Sequence, residues 1–434
     1  MNALVIGSGG REHALVWKMA QSEHIRGIYC APGNPGIASL AECVPVSSSD
    51  LGGLLRFALN NKVDCTVVGP EQPLAAGIVD LFEEQGLKIF GPSKRAAELE
   101  WSKVFAKDFM KRHDIPTASY QTFGLGDHDK AMAALDGTTF PLVLKADGLA
   151  AGKGVVVCED RKSAERTLNE MMEKKTFGIA SETVVFEEFM TGEEASVFAI
   201  CDGDSYVTLP PAQDHKRIFD GDRGGNTGGM GAYAPAPVVT PEVLEEVRHA
   251  IIEPTLRGMA SEGRRYKGCL YVGLMITAAG PKVVEFNARF GDPETQVLLP
   301  LYEGDIMELF LAACEGTIAS SISANRNLTE GSAVCVVLAS SGYPGKYEVG
   351  KKIDGLDNLG EGVIVFHAGT ATKDGATVTA GGRVLGVTAI YAAADFRKTI
   401  DMAYAGVSKV SFEGMQYRRD IGKRAVMRSV GSMV

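Results

Sequence analysis

The chain opens on a short apolar run, ALVIG, that ends in glycine, and similar runs return as IRGIYCAPG, VDCTVVGPE and LKIFGP with amphipathic stretches between them. Short apolar runs closing on Gly or Pro, alternating with helical periodicity, predict a βαβ series around a parallel sheet. Loops at the carboxyl ends of such strands bind ligands. A helical connector follows from Glu98 to Asp114, broken at Ile115-Pro116. PLVLKADGLAAGKGVVVC then sets two β-rich runs around a small glycine-rich loop, followed by a helix near Lys162 to Lys174 and the strand TVVFEEF. A longer α+β stretch holds the alternating strand ASVFAIC, a glycine-rich loop over 221–231, a helix near 241–262, and CLYVGLMI paired with KVVEFNARF. A last β-rich unit carries AVCVVLASSGYPG, VIVFHAGT and GGRVLGVTAI, with a helix around 393–406. The fold class expected is α/β and α+β multidomain, with a parallel sheet first and a β-rich unit last.

Composition narrows this reading. At ~150 residues per domain, 434 residues imply about three domains. Charged residues at 23%, hydrophobic ones at 45% and a mean hydropathy of +0.02 describe an ordinary globular protein. A net charge of -10 repels nucleic acid and anionic membrane, so neither is expected as a partner and any anionic substrate needs local cations. The 51 glycines exceed the usual ~7% share without a collagen period, which suggests backbone-lined loops. Eight cysteines lie scattered in apolar runs with no C-x-x-C pair, reading as buried hydrophobes in a reducing compartment. With no signal-peptide pattern at the start and no run near ~18 apolar residues, the expected location is the cytoplasm.

Several motifs carry chemistry. Gly7-Ser8-Gly9-Gly10-Arg11-Glu12-His13 follows the first strand and opens a helix, where free amides favour a phosphate. Glu12 stands where a dinucleotide fingerprint needs glycine, and the second strand ends without an acid, so a nicotinamide cofactor is disfavoured. Gly148-Leu149-Ala150-Ala151-Gly152-Lys153-Gly154 lacks the spacing and hydroxyl of a Walker loop; it reads as a flap whose amides and Lys153 close over a polyphosphate, with Lys145 as a second cation. Glu187-Glu188-Phe189 ends an apolar strand and Glu194 begins the next, a place for a ribose or a base edge, though surface charge explains it as well. In Glu285-Phe286-Asn287-Ala288-Arg289, alternate positions share a face: two hard oxygen donors suited to Mg²⁺, then a guanidinium for an anion. QDHKR and the segment Gly224 to Gly231 form a polar, glycine-dense stretch longer than a turn needs.

Taken together, GSGGREHAL, VVGPEQPL, KADGLAAGKGV, EEFMTGEEAS, PAQDHKR, NTGGMGAY, LYVGLM, EFNARFGDPETQ, GYPGKY, VFHAGT and GGRVLGVTA resemble the glycinamide ribonucleotide synthetase family of the ATP-grasp superfamily, over nearly the whole chain. The resemblance implies a phosphoribosylamine-binding domain at 1–103, a connector and small mobile lobe at 104–190, a larger ATP-grasp lobe at 191–328 and a C-terminal domain at 329–434. It implies ligation of glycine to 5-phosphoribosylamine with cleavage of ATP, in purine synthesis, through a glycyl phosphate. ATP would meet Lys103, Lys145, Gly152, Lys153, Glu187, Glu188, Phe189 and Glu194; phosphoribosylamine would meet Gly9, Gly10 and Glu71; glycine would meet Asp214, Arg289, Gly228 and Gly229. Catalysis would rest on Arg289, Asp214 and Lys153. Glu285 and Asn287 would hold Mg²⁺ or Mn²⁺, because Leu274-Met275 offers no carboxylate on the neighbouring strand. A monomer is expected, with transient contact to an upstream amidotransferase. Two residues depart from the family pattern, Trp101 in LEWSK and Gly225 where proline is common. Rival readings are a formate-using transformylase, a carboxyaminoimidazole synthetase, or a non-catalytic nucleotide sensor.

Overall fold

The computed structural model describes residues 1–124, 126–148, 154–173, 183–321, 330–357 and 359–431, the side chains of 429–431 excepted. The first ninety residues build a five-stranded parallel sheet, in the order Glu42–Cys43, Gly27–Pro32, Asn2–Gly7, Cys65–Val68 and Ile89–Phe90. Its central strand is apolar on both faces, Ala3 to Ile6 being wholly buried, as expected of a strand covered on both sides by helices. The strand order reverses between Asn2–Gly7 and Cys65–Val68, so the Gly7 loop and Glu71 both open onto the switch point where α/β sheets bind ligands.

The connector folds as two helices, Glu98–Trp101 and Lys103–Arg112, where the sequence suggested one. Ser102 divides them by capping the second, its Oγ accepting from Phe105 N at 3.1 Å. Trp101 packs its indole against the first sheet's core. The next unit is a four-stranded antiparallel sheet, Tyr120–Phe123, Val184–Glu188, Leu142–Ala146 and Val155–Cys158, with the helix Arg161–Leu168 capped by Asp160. The two β-rich runs expected around the flap are thus paired neighbours. The flap's tip, with Gly152 and Lys153, lies outside the described residues.

The third sheet runs Tyr206–Thr208, Glu193–Asp202, Lys267–Thr277 and Gly280–Asn287, all antiparallel, so CLYVGLMI and KVVEFNARF do pair. The long helix expected over 241–262 is interrupted: Pro241–Val247 and Glu253–Ser261 flank a π-helical turn at Arg248–Ile252. The fourth sheet joins distant segments. Gln213–Asp214 pairs with Gly231–Ala234, which pairs with Ser332–Ser340, and the sheet continues to Arg383–Tyr391 and Val363–His367. Hydrogen bonding therefore crosses the division expected between 328 and 329. The hairpin of Arg217–Phe219 and Arg223–Asn226 is also held from the C-terminal side. The buried Arg418 reaches Arg217 O at 3.0 Å and Asp222 Oδ1 at 2.9 Å, and both Asp420 oxygens at 2.7 Å. All eight thiols are free, and among the described residues no helix is long and apolar enough to cross a membrane.

Candidate active site

Glu285 and Asn287 sit at the end of the Gly280–Asn287 strand, on one face as the alternation required. The ladder is irregular here: Gly273 pairs with Glu285 but Leu274 with Val283, which leaves Val284 unpaired as a bulge. The freed Val284 carbonyl accepts from Lys145 Nζ at 3.1 Å. Opposite Glu285 stands Gly273, where a Cβ would lie 3.2 Å from Glu285 Cγ. Burial pushes the Glu285 carboxyl up, but Lys216, Lys145, Lys103 and Arg289 together hold it below the ordinary carboxylate value. Among the described residues, the Glu285 side chain makes no hydrogen bond or ion pair: its carboxylate, held ionised by cations farther off, has no direct partner. That donor set, a free carboxylate beside the Asn287 amide oxygen, fits a hard divalent cation.

Around this strand lie the groups expected on a nucleotide. Lys145 Nζ meets Glu187 Oε2 at 2.9 Å, and Lys107 Nζ meets the same oxygen at 3.0 Å. Glu187 faces inward and Glu188 outward, as strand alternation demands, and Glu188 Oε2 accepts from Ser119 Oγ at 3.0 Å. Lys103 Nζ donates to Gly148 O at 2.9 Å, holding the base of the flap, and burial pushes its pKa down. Glu194 pairs with Lys216 at 2.8 Å, and Phe189 stands 40% exposed just beyond its strand.

The acceptor loop is built around a residue the motif reading treated only as a missing glycine. Glu12 folds back under the loop: its Oε2 accepts from Gly9 N at 2.6 Å and its Oε1 from Arg11 Nε at 2.6 Å. A Cβ on Gly7 would lie 2.6 Å from Glu12 Cδ, and one on Gly69 2.0 Å from Glu12 Oε1, so both glycines make room for this carboxylate. The Gly9 amide, expected to face an anion, donates instead to Glu12, and the loop presents its helix terminus from Gly10 onward. Glu71 opens the helix Glu71–Ala76 and lies 3.5 Å from Arg289 Nε. Burial raises the Glu71 carboxyl, yet Arg289 and Arg11 bring it below its ordinary value.

Arg289 lies two residues past the strand and gathers three groups. Its Nη2 contacts Glu100 Oε1 at 2.9 Å and Asn287 Oδ1 at 3.4 Å, while Nε faces Glu71. Glu100 also accepts from Ala288 N at 2.8 Å. Asp214, on Gln213–Asp214, is buried; burial, Glu294, Glu194 and Glu285 push its carboxyl up to about 7 against the pull of Lys216. The neighbouring His215 is held neutral, pushed down to about 3 by burial and by Arg418 and Arg424.

The glycine-dense loop is fastened from two sides. Gly228 donates to Tyr343 Oη at 3.0 Å, and its carbonyl accepts from Arg383 Nη1 at 2.5 Å. Gly229 has φ +111, and a Cβ there would lie 2.4 Å from Pro293 Cδ, so the loop packs tightly on the 292–293 turn. Arg383 also reaches Asp292 O at 2.7 Å and Asp292 Oδ2 at 3.1 Å. Asp292 in turn lies against Gly9, whose Cβ would be 3.6 Å from Oδ2.

Sequence reasoning did not single out Glu12, Glu100, Lys107, Lys216, Asp292 or Arg383. Four of these lie inside motifs quoted for the resemblance, so the signal was present as sequence but not as geometry. Glu100 and Lys107 sit on the connector helices, where charges at helical spacing read as a solvated face.

Comparison with known proteins agrees with this geometry. Residues 1–100, 101–295 and 333–424 match the descriptions "Phosphoribosylglycinamide synthetase, N domain", "Phosphoribosylglycinamide synthetase, ATP-grasp (A) domain" and "Phosphoribosylglycinamide synthetase, C domain". The chain is 51% identical to a phosphoribosylamine–glycine ligase of Chlorobaculum tepidum, covering 98% of this chain and 100% of the relative. A ligase of the same name from Caldanaerobacter subterraneus subsp. tengcongensis is 48% identical, covering 97% and 99%. The crystal structure of a phosphoribosylamine–glycine ligase from Thermotoga maritima matches with a TM-score of 0.83 at 35% identity, over 97% of this chain and all of that one. The fold also resembles a Campylobacter jejuni biotin carboxylase, with a TM-score of 0.73 at 16% identity over 97% of this chain and 94% of that one. With family matches spanning most of its length around a convergent cationic site, the chain belongs to the phosphoribosylglycinamide synthetase family of ATP-grasp carboxylate–amine ligases.

Proposed function

We propose that this protein joins glycine to 5-phosphoribosylamine with cleavage of ATP, giving glycinamide ribonucleotide, ADP and phosphate through a glycyl phosphate, as a step of purine synthesis. The observation that carries the reading is Arg289, whose one guanidinium meets Glu71 from the switch point of the first sheet and Asn287 beside Glu285. A cation so placed faces both an amine acceptor and a phosphoryl donor.

The chemistry requires that arrangement. A carboxylate does not condense with an amine in water; transfer of a phosphoryl group to it creates a leaving group that the amine displaces. No enzyme nucleophile is needed, so positioning and charge neutralisation are the protein's tasks. Lys103, Lys145 and, from the flap, Lys153 with Gly152 bind the phosphates. Glu187, Glu188 and Phe189 border the base, and Glu194 the ribose. Glu285 and Asn287 would hold Mg²⁺ or Mn²⁺, which supplies charge neutralisation on the triphosphate. Asp214 anchors the ammonium of glycine, while Gly228 and Gly229 leave no space for a side chain. Arg289 orients the carboxylate and stabilises the oxyanion that develops on it. The helix terminus from Gly10, with Gly9 lining the loop while its amide stays on Glu12, and the carboxylate of Glu71 receive phosphoribosylamine, and Arg383 completes the anion site from the C-terminal sheet. The proposal includes parts meeting near 103, 190 and 328, the last boundary crossed by the pairing of Gly231–Ala234 with Ser332–Ser340, together with a monomeric state, a cytoplasmic setting and transient contact with an amidotransferase.

The test is ADP release with glycine, formate or bicarbonate, each with and without the phosphoribosyl acceptor. Release that requires glycine and acceptor together supports the reading. Turnover with formate would move the protein to a transformylase, and ATP binding without turnover to a sensor. Glu285→Gln is expected to nearly abolish turnover with the fold intact.

A further inference from the structure

Glu187 carries more cations than one carboxylate needs. Lys107 Nζ and Lys145 Nζ both meet its Oε2, at 3.0 and 2.9 Å, and the three side chains are only 3–6% exposed. Its second oxygen, Oε1, is buried with no hydrogen-bond partner among the described residues. The two lysines are not equivalent. Lys107 is fixed: it donates to Thr117 Oγ1 at 2.7 Å, and that hydroxyl donates to Val283 O at 2.7 Å. Lys145 has as its other contact the Val284 carbonyl at 3.1 Å, freed by the bulge beside Glu285. Lys145 therefore lies between the Val184–Glu188 strand and the strand that carries the proposed metal ligands, while Lys107 reaches the same carboxylate from the connector helix.

We infer that Lys107 is a positioning residue: it keeps the Glu187 carboxylate compensated, so that Lys145 is free to turn from Glu187 to a phosphate of ATP. This rests on the proposed role of Lys145 as a phosphate ligand. A buried carboxylate deprived of its last cation is strongly disfavoured. With Lys145 as its only partner, Glu187 would hold that lysine back, and every ATP bound would strand a buried charge. With Lys107 in place the pair left behind is already neutral, and the surplus positive charge of the cluster is the one offered to the nucleotide. Lys107 touches no substrate; it acts through Glu187 on Lys145.

The experiment compares Lys107→Met, Lys107→Arg, Glu187→Gln and the double variant Lys107→Met/Glu187→Gln in the full chain by steady-state kinetics, with thermal melts as a folding control. Lys107→Met is expected to raise KM for ATP by about tenfold or more. KM for glycine should stay unchanged and kcat within about twofold of the parent. Lys107→Arg should restore most of the ATP affinity, since it returns the charge. In the Glu187→Gln background no charge is left to strand, so adding Lys107→Met should change KM for ATP little. An unchanged KM for ATP in Lys107→Met, or an equal rise in the Glu187→Gln background, overturns the inference, because Lys107 would then act by bulk or packing. Should Lys107→Met fail to fold, the double variant carries the test, and it must match Glu187→Gln. Lys145→Met separates the two failures: if it leaves KM for ATP untouched, the phosphate role of Lys145 is wrong and the inference falls with it.

Discussion

A guanidinium offers its donors in one rigid plane, and Arg289 uses that plane to meet Glu100 at 2.9 Å, Asn287 at 3.4 Å and Glu71 at 3.5 Å. A lysine has the charge but only one nitrogen, so Arg289→Lys cannot span the three. Its kcat/KM for glycine should fall about a hundredfold, the scale on which misplacing a reacting group is felt; steady-state kinetics with all three substrates would check it. Asp214 gives a prediction in pH. Burial, followed by the nearby carboxylates, raises its carboxyl to about 7, so the anionic form that holds an ammonium predominates only above that pH. KM for glycine should rise as pH falls through about 7, and Asp214→Asn should remove that dependence while raising KM throughout. A wild-type KM for glycine that is flat on both sides of pH 7 would remove Asp214 from the glycine site.

At the scale of elements, the strand Gly280–Asn287 depends on its neighbour. Gly273 faces Glu285, and a Cβ there would come within 3.2 Å of Glu285 Cγ and of Tyr271 Cε1. Gly273→Ala should thus displace the metal-facing carboxylate by a few tenths of an ångström without breaking the ladder. Turnover is expected to drop by about tenfold and the magnesium requirement to rise, read from a metal titration. This strand was legible in the sequence because alternation assigns Glu285 and Asn287 to one face, and the parallel sheet was legible because each strand is a short apolar run ending in a turn residue. The connector was not. Glu100 and Lys107 lie on helices that look solvated on one side, and only the packing of those helices on the third sheet and the Val184–Glu188 strand buries them. The fourth sheet was equally hidden: Gly231–Ala234 pairs with Ser332–Ser340 about a hundred positions away, and local periodicity carries no information on which distant edge a strand will find. Glu12 escaped for a different reason, since a motif defined by glycines registers a carboxylate only as a mismatch.

Across the whole molecule, the acceptor loop, the metal strand and the glycine-dense loop come from separate parts of the chain and need a common anchor. Asp292 and Arg383 supply it. Asp292 lies against Gly9 of the first sheet, and Arg383 reaches out from the last sheet to the Asp292 carbonyl and carboxylate and to Gly228 O. Burial raises the Asp292 carboxyl, but Arg383 with Arg11 holds it below its usual value, so this pair is charged at working pH. Removing one partner of a pair so enclosed leaves the other charge stranded, which costs more than the pair contributes. Arg383→Met should therefore loosen Gly228 from the 292–293 turn and raise KM for both glycine and the phosphoribosyl acceptor, each by about tenfold. ATP should be spared, because Lys145, Lys103 and Glu187 lie on the connector and small sheet, which make no contact with Arg383 among the described residues. Adding Asp292→Asn to Arg383→Met should recover part of the loss by removing the stranded carboxylate. A selective rise in KM for ATP, or full activity in Arg383→Met, would show that the C-terminal sheet supports the fold without holding the two substrate loops together.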